Sequence, residues 1–316
     1  MSALEAALAR EAVRHTRAVT RHHAKTFYFA SLFLPRAMRQ AIWALYAYTR
    51  RLDDVVDEIP AAAVAGAHLR RMDRALSARL AAPGSNLTYL ALADAVSRYG
   101  IPHFYFHSLA AGLAMDLKQA KFERWRDLYR YCWRVASVVG LMVSRTFGRT
   151  DAVTFRRVVD CGIAMQLTNI LRDVGEDLDM GRIYLPREDM ACFGVTDAML
   201  ERREVTEQVR GLLAFEIARA RRYYESGARV LAHVNGRVRM TATLAVRLYA
   251  RILDNIEENG YDVFSRRASL PLSGKLAAVP RVVLTAWIPL REPPDPVRTD
   301  EFDAGAPAQG RAGRKA

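Results

Sequence analysis

The chain has 316 residues, 51% of them hydrophobic, so it is long enough to bury a large core. Its 47 basic and 34 acidic residues give a net charge of +13, which makes nucleic acid, an anionic membrane surface and an anionic substrate the candidate partners. No stretch reaches the roughly 18 consecutive apolar residues that a membrane-spanning helix needs, which excludes a transmembrane protein. The three cysteines, Cys132, Cys161 and Cys192, match no zinc-binding pattern, and so few cysteines indicate a reducing compartment.

Helical periodicity runs through nearly the whole chain and clear strand alternation does not occur, so the sequence predicts an all-α protein. The predicted helices are 3–22, 36–58, 61–81, 87–99, 102–120, 124–147, 151–180, 197–232, 238–259 and 273–287. No linker rich in proline or glycine interrupts residues 20–290, so residues 1–290 are predicted to form one domain. Residues 291–316 have the composition of a disordered tail.

The first candidate site lies near the end of the predicted helix 36–58. Asp53 and Asp57 are four residues apart, so their carboxylates share one face of the helix. Arg50 precedes Asp53 on nearly the same face, and an arginine beside acids suits a site that binds metal and phosphate together. The alternative for Arg50 is an intrahelical salt bridge to Asp53 or Asp57. Asp54 points in another direction and is expected to take no part.

A second acidic motif lies in the predicted helix 151–180. Its polar side chains form one narrow stripe, Gln166, Asn169, Asp173 and Asp177. Apolar residues cover most of the remaining circumference, which indicates a buried helix whose carboxylates need a counter-charge. Mg²⁺ is suited to this because it takes oxygen ligands and keeps some of its waters. The alternative for either acidic pair is an ordinary solvated face, and the apolar surroundings favour the metal site.

Longer motifs resemble the squalene/phytoene synthase family. They are Gly162-x-x-x-Gln166-x-x-Asn169-Ile170-x-Arg172-Asp173-Val174-x-x-Asp177 followed by Arg182-x-Tyr184-x-Pro186, the stretch Tyr131–Gly140, and an N-terminal region with His23-Ala24-Lys25-Thr26-Phe27, Leu34-Pro35 and Asp53-x-x-x-Asp57. The resemblance runs from about residue 15 to 290 and is greatest to bacterial members that form phytoene. It implies a single-domain isoprenoid synthase fold, in which two aspartate-rich helices face each other across the mouth of a deep central cavity.

The activity that the resemblance implies is a Mg²⁺-dependent head-to-head condensation of two geranylgeranyl diphosphates, through prephytoene diphosphate, to phytoene and two pyrophosphates. Mn²⁺ is an alternative metal, and no NADPH is expected because the reaction ends in proton loss rather than hydride transfer. One alternative is a squalene or dehydrosqualene synthase that uses farnesyl diphosphate. Another is a non-catalytic family member that acts as an assembly protein at a membrane.

The resemblance also implies roles for individual residues. The expected metal ligands are Asp53, Asp57, Asn169, Asp173 and Asp177, and the four aspartates are expected to be catalytic together with Tyr249. The residues expected to bind the diphosphates or line the cavity are His23, Lys25, Thr26, Arg50, Tyr131, Gln166, Asn169, Arg172, Tyr184 and Arg266. For Arg172, a salt bridge behind the metal site is an equal alternative, and Glu176 is expected to take no part.

The basic charge of the chain bears on its location. The arginines are scattered along the helices without a dense basic tail or an aromatic–basic repeat, so we expect no nucleic-acid binding. Because the substrate and product of the implied reaction are largely apolar, we expect a protein of the bacterial cytoplasm. It would bind peripherally to the anionic inner face of the plasma membrane.

Overall fold

The structure, a computed structural model, describes residues 3–118, 121–148, 151–234 and 236–265, and within these ranges it contains helices and no strand. The α-helices are α1 (Ala3–His23), α2 (Lys25–Ser31), α3 (Arg36–Glu58), α4 (Ala62–Ala81), α5 (Leu87–Tyr99), α6 (His103–Asp116), α7 (Trp125–Cys132), α8 (Val138–Thr146), α9 (Ala152–Arg172), α10 (Val174–Asp179), α11 (Arg187–Cys192), α12 (Asp197–Glu201), α13 (Glu207–Gly227) and α14 (Gly236–Glu258). A π-helical segment, Trp133–Ser137, joins α7 to α8, and a 3-10 segment, Ala228–His233, follows α13. The all-α prediction is confirmed.

Several predicted helix boundaries were wrong. The helices α2 and α11 were not predicted, because each is short, with seven and six residues. Pro186 occupies the N-cap of α11, and Glu188 and Asp189 lie in its first turn, a combination that favours a helix start. The predicted helix 197–232 is divided into α12, α13 and the 3-10 segment. The predicted helix 273–287, the predicted tail 291–316 and Arg266 lie outside the described residues.

The helix that carries the second acidic motif is also divided. It was predicted to be continuous from 151 to 180, but α9 ends at Arg172 and α10 begins at Val174. The Gly175 N–H donates to the Val263 carbonyl oxygen, at 3.2 Å, rather than to a carbonyl of its own helix. A Cβ at Gly175 would lie 2.9 Å from the carbonyl oxygens of Val263 and Phe264. The chain after α14 therefore packs directly on the backbone at the start of α10, and this contact accompanies the break.

Helix α9 is the central element of the bundle. Asp151 caps its N-terminus by accepting a hydrogen bond from the Thr154 N–H at 2.9 Å. Two glycines let neighbouring backbones approach closely. A Cβ at Gly162 would lie 2.4 Å from Ser137 Cα in the π-helical segment, and a Cβ at Gly227 of α13 would lie 2.6 Å from the backbone nitrogen of Cys161. The backbones on both sides thus position α9, and with it the acidic residues at its C-terminal end.

Most buried hydrophobic side chains of the described residues form one large core around α9, to which every helix from α3 to α14 contributes. Among the helices that the structure describes, none combines the length and the hydropathy required to cross a bilayer.

We predict that Gly162→Ala will lower the free energy of unfolding by about 2 kcal/mol or more, because the added methyl group would overlap the backbone of Ser137. Urea denaturation followed by circular dichroism measures the change. Gly66→Ala in α4 is the matched control, because its Cβ meets only the flexible end of Arg70, at 3.3 Å, and Leu117 at 3.6 Å. It should be neutral or slightly stabilising. Equal effects of the two substitutions would contradict the assigned contact.

Candidate active site

Arg182 connects the two acidic motifs. Its Nη1 lies 3.4 Å from Asp57 Oδ1 at the end of α3, and its backbone N–H donates to the carbonyl oxygen of Asp177 in α10 at 2.8 Å. The chain between α10 and α11 therefore turns back and places a guanidinium group between the two motifs. The motifs lie on the same side of the bundle, as two facing acidic helices require. Arg182 was not predicted as a site residue, although it stands in the motif that carried the resemblance.

Asp116, at the end of α6, is a further acid at this site that the sequence analysis missed. The Tyr184 hydroxyl donates to Asp116 Oδ1 at 2.8 Å, and the Tyr131 hydroxyl donates to Oδ2 at 3.1 Å. Burial raises the pKa of Asp116 to about 6, although both tyrosine hydroxyls and Arg182 oppose this shift. The two tyrosines were expected to line the cavity, and the structure shows that they share this carboxylate. An isolated acid at the end of an apolar helix was the available signal in the sequence.

The carboxylates of the two motifs carry more negative charge than nearby side chains neutralise. Burial raises the pKa of Asp53 to about 7, and the neighbouring Asp57 and Asp116 add to the effect. Burial likewise raises the pKa of Asp177 to about 7, with contributions from Asp173 and Asp116. Asp116 thus acts electrostatically on both motifs, which places all of these acids in one cluster. Such a cluster favours a bound cation, because a cation removes the cost of ionising the acids.

Two arginines that were expected to bind diphosphate are paired with adjacent acids. Arg50 Nε lies 2.6 Å from Asp54 Oδ1, so its salt-bridge partner is Asp54 rather than Asp53 or Asp57. Arg172 donates twice to Asp173, from Nε at 2.7 Å and from Nη2 at 2.5 Å. This is the salt bridge that was the alternative for Arg172. Each guanidinium group retains further N–H donors, because these pairs use only part of its five.

Asn169 and Gln166 lie one turn apart on α9, as the stripe predicted. Asn169 Nδ2 donates to Gln166 Oε1 at 3.4 Å, while the buried Asn169 Oδ1 has no hydrogen-bond donor among the described residues. A buried amide oxygen without a donor suits coordination to a hard cation. No group of three or more His, Cys, Asp or Glu side chains within the described ranges is close enough to hold a metal ion by itself.

Other predicted residues take different places around this cluster. His23, exposed at the end of α1, is close enough to Arg50 for that charge to add to the burial that lowers its pKa. Tyr249 in α14 interacts electrostatically with Arg172 and with Tyr46 of α3, so it is near both of these residues. Lys25 and Thr26 lie in the first turn of α2, and no contact within the described part of the chain joins either of them to the acids.

A small pocket of about 10 Å³, room for roughly one water molecule, lies beside the second motif. Asp177, Arg182 and Tyr184 line its polar side, and Ile170, Val174 and Leu178 lie on its apolar side. Beneath it, Phe122, Tyr131 and Tyr184 form an aromatic cluster whose ring centroids are 5.3 to 6.0 Å apart. The acids of the second motif therefore border an apolar and aromatic part of the interior.

Comparison with known proteins decides the family. The squalene/phytoene synthase family model matches residues 20–273. The chain belongs to the squalene/phytoene synthase family. A 15-cis-phytoene synthase of Synechococcus elongatus is 38% identical over 290 residues, covering 88% of this chain and 94% of that protein. A 15-cis-phytoene synthase of Synechocystis is 38% identical over 299 residues, covering 91% of this chain and 88% of that protein.

Solved structures of squalene/phytoene synthase relatives match the fold. A dehydrosqualene synthase superposes with a TM-score of 0.78 at 28% identity, covering 87% of this chain and 96% of that one. A squalene synthase from Alicyclobacillus acidocaldarius superposes with a TM-score of 0.74 at 30% identity, covering 80% of this chain and 96% of that one. The predicted family, the isoprenoid synthase fold and the assignment as a prenyl-transferring enzyme are confirmed.

We predict that Asp177→Asn will stabilise the metal-free protein at pH 8 but not at pH 4. The pKa of Asp177 is raised from 3.8 to about 7 in the folded state, so the stability it confers is complete below pH 3.8 and is lost as the pH rises towards 7. An amide does not ionise, so the variant should gain on the order of 2 kcal/mol at pH 8. Urea denaturation in EDTA at the two pH values measures this.

Asp94→Asn serves as the control for this measurement. Asp94 is exposed and pairs with Arg98 on the surface of α5, so its replacement should change stability little at either pH. A destabilised Asp177→Asn protein at pH 8 would show that the acids at the site are already neutralised.

Proposed function

We propose that this protein is a phytoene synthase, which joins two geranylgeranyl diphosphates head to head and releases two pyrophosphates. The observation that carries the proposal is the acid cluster of Asp53, Asp57, Asp116 and Asp177 around Arg182, next to an apolar, aromatic interior. The similarity to cyanobacterial proteins named 15-cis-phytoene synthase, over nearly their whole length, supports the choice of product.

Diphosphate departure is the first chemical requirement, because a diphosphate leaves only when its charge is neutralised. Mg²⁺ would supply that neutralisation when bound, and Mn²⁺ is the alternative metal. The residues that would hold the metal are Asp53, Asp57, Asn169, Asp173 and Asp177. Arg182 lies between the motifs and adds a fixed positive charge, while Arg172 and Arg50 keep N–H donors free for phosphate oxygens.

Protection of the carbocation is the second requirement, since water would convert it to an alcohol. The rings of Phe122, Tyr131 and Tyr184 are buried next to Asp116 and would keep water from the carbocation, and aromatic faces stabilise cations by roughly 0.5–2 kcal/mol each. Asp116 accepts both tyrosine hydroxyls, which fixes the orientation of the two rings. Because the reaction ends in proton loss, it needs no NADPH. Tyr249, which interacts electrostatically with Arg172 and Tyr46, completes the proposed catalytic set.

Peripheral contact with the anionic inner face of the bacterial plasma membrane completes the proposal. The net charge of +13 favours such a surface, and the phytoene product is an apolar hydrocarbon that partitions into a bilayer.

A squalene or dehydrosqualene synthase that uses farnesyl diphosphate is the second candidate. Its support is the superposition on solved enzymes with those names. The two candidates differ in the length of the apolar chain rather than in the chemistry at the acids.

We predict that the purified protein with Mg²⁺ converts labelled geranylgeranyl diphosphate to a C40 hydrocarbon and does not require NADPH. Chromatography of the extracted products, with farnesyl diphosphate in a parallel reaction, makes the measurement. A C30 product from farnesyl diphosphate, with none from geranylgeranyl diphosphate, would favour the second candidate. No product from either substrate would favour a non-catalytic assembly protein.

We predict that Asp53→Asn will lower kcat by at least about 100-fold, because the amide cannot supply the charge that balances a cation at the diphosphate. Steady-state kinetics and circular dichroism separate loss of activity from loss of folding. The control is Glu176→Gln, which removes an exposed charge next to Asp177 and should retain most of the activity. Undiminished turnover in Asp53→Asn would remove Asp53 from the proposed metal site.

A further inference from the structure

A basic cleft lies outside the acid cluster. Its volume is about 320 Å³, and it is formed by one face of α4, by α3 and by the start of α5. The residues that line it are Arg51, His68, Arg71, Met72, Ala75, Arg79, Asn86 and Tyr89. No carboxylate is among them, and none of the acids of the proposed active site contributes to it. The cleft is therefore a separate site with a strong preference for negative charge.

The arginines of the cleft lack the acidic partners that other arginines of this protein have. Within the described residues, no carboxylate forms an ion pair with Arg51, Arg71 or Arg79, whereas Arg50, for example, is paired with Asp54. Arg71 and Arg79 are exposed at the rim, and Arg51 lies across from them with its Cζ 5.6 Å from the Tyr89 ring centroid. Three guanidinium groups thus face a common volume without a counter-charge from the protein.

The nearest acid of α4 is held by another group. Asp73 Oδ1 lies 2.6 Å from His107 Nδ1 of α6, so this carboxylate is engaged by a neighbouring helix. Asn86 adds a donor to the cleft, because its side-chain oxygen already accepts from the Tyr89 N–H at 3.1 Å and its amide nitrogen remains available. The polar side chains of the cleft are consequently donors, which matches the acceptor oxygens of a phosphate group.

The floor of the cleft is apolar. Met72, Ala75 and Tyr89 form it, and Met72 and Tyr89 are buried. Val64 lies one turn before His68 on the same side of α4 and is 57% exposed. An exposed apolar side chain therefore lies on the protein surface next to the cleft. A ligand with a phosphate group and an adjoining apolar part uses all of these features, whereas a free phosphate ion uses only the arginines.

We propose that this cleft binds the phosphate headgroup of an anionic phospholipid and so fixes how the protein sits on a membrane. The inference rests on the proposed membrane contact and names the surface that makes it. Arg71 and Arg79 contact the phosphate from α4, Arg51 contacts it from α3, and Val64 faces the acyl region. Binding in one cleft gives the protein a defined orientation, which a diffuse positive charge does not.

The test compares two double variants with the same change in charge. Arg71→Gln/Arg79→Gln removes two arginines from the cleft, and Arg70→Gln/Arg74→Gln removes two exposed arginines of α4 that do not line it. Flotation with vesicles of phosphatidylcholine and phosphatidylglycerol at about 0.15 M salt measures the partition coefficient. We expect the cleft variant to lose roughly 30-fold in partitioning, since each basic residue at an anionic surface contributes about fivefold. The control variant should lose less than about fivefold.

Equal losses in both variants, or no loss in either, would overturn the cleft as the binding site while leaving membrane contact intact. Failure of the unsubstituted protein to float would overturn both the cleft and the proposed membrane contact. Condensation activity of the unsubstituted protein in detergent reports on the proposed enzyme function independently of both. Circular dichroism of each variant confirms that all four substitutions leave the fold intact.

A second measurement identifies the source of the phosphate. Thermal denaturation is followed with soluble dihexanoyl phosphatidylglycerol, with inorganic phosphate and with a single-stranded oligonucleotide. The proposal predicts that the lipid raises the Tm of the unsubstituted protein and of the control variant but not that of Arg71→Gln/Arg79→Gln. An equal rise with inorganic phosphate would identify a site for free anions instead. A rise confined to the oligonucleotide would identify a nucleic-acid surface, and either result would overturn the lipid assignment.

Discussion

Backbone contacts without intervening side chains position α9, and the acidic site depends on this constraint. Gly162 lets the π-helical segment approach one part of the helix, and Gly227 brings α13 against another. A helix held this closely has little freedom to shift or rotate, because protein interiors are close-packed. Asn169, Arg172 and Asp173 at its C-terminal end therefore have a defined position relative to Asp53 and Asp57 on α3.

The second feature of the site is an accumulation of negative charge that the fold only partly neutralises. Asp53, Asp116 and Asp177 are partly or fully buried and act on one another, and Arg182 is the cation that lies between the motifs. Burial makes these acids costly to ionise, and the divalent cation of the proposed reaction would remove that cost. The same electrostatics that raise the pKa values of these acids would thus favour the proposed metal and its anionic substrate.

Arg50 and Arg51, consecutive residues of α3, lie in different environments. Arg50 pairs with Asp54 close to the acidic site, whereas Arg51 points to Tyr89 and the basic cleft. Successive side chains on a helix differ in direction by about 100°, so one helix can belong to two surfaces. If the proposed reaction and the proposed lipid-binding cleft both hold, their location on shared helices would couple the chemistry to a fixed position at the membrane.

The sequence by itself determined the all-α class, the family and the two acidic motifs. The class follows from hydrophobic periodicity and residue spacing, which are local properties of the sequence. The family follows from several long motifs in the correct order, which are far more specific than a single short motif. The prediction that Gln166 and Asn169 share one face of a helix was correct for the same reason. Only the tertiary structure decided the break between α9 and α10 at Asp173. There the Gly175 N–H donates to the Val263 carbonyl oxygen, which comes from a distant part of the chain.

Tertiary structure also decided which charges meet. Asp116 joins the site through Tyr131 and Tyr184, and Arg182 reaches Asp57 across 125 positions of sequence. Spacing along a helix predicts which side chains share a face, but not which of several nearby acids an arginine will choose, as Arg50 and Asp54 show. That choice depends on distances and burial, which arise only when the helices pack.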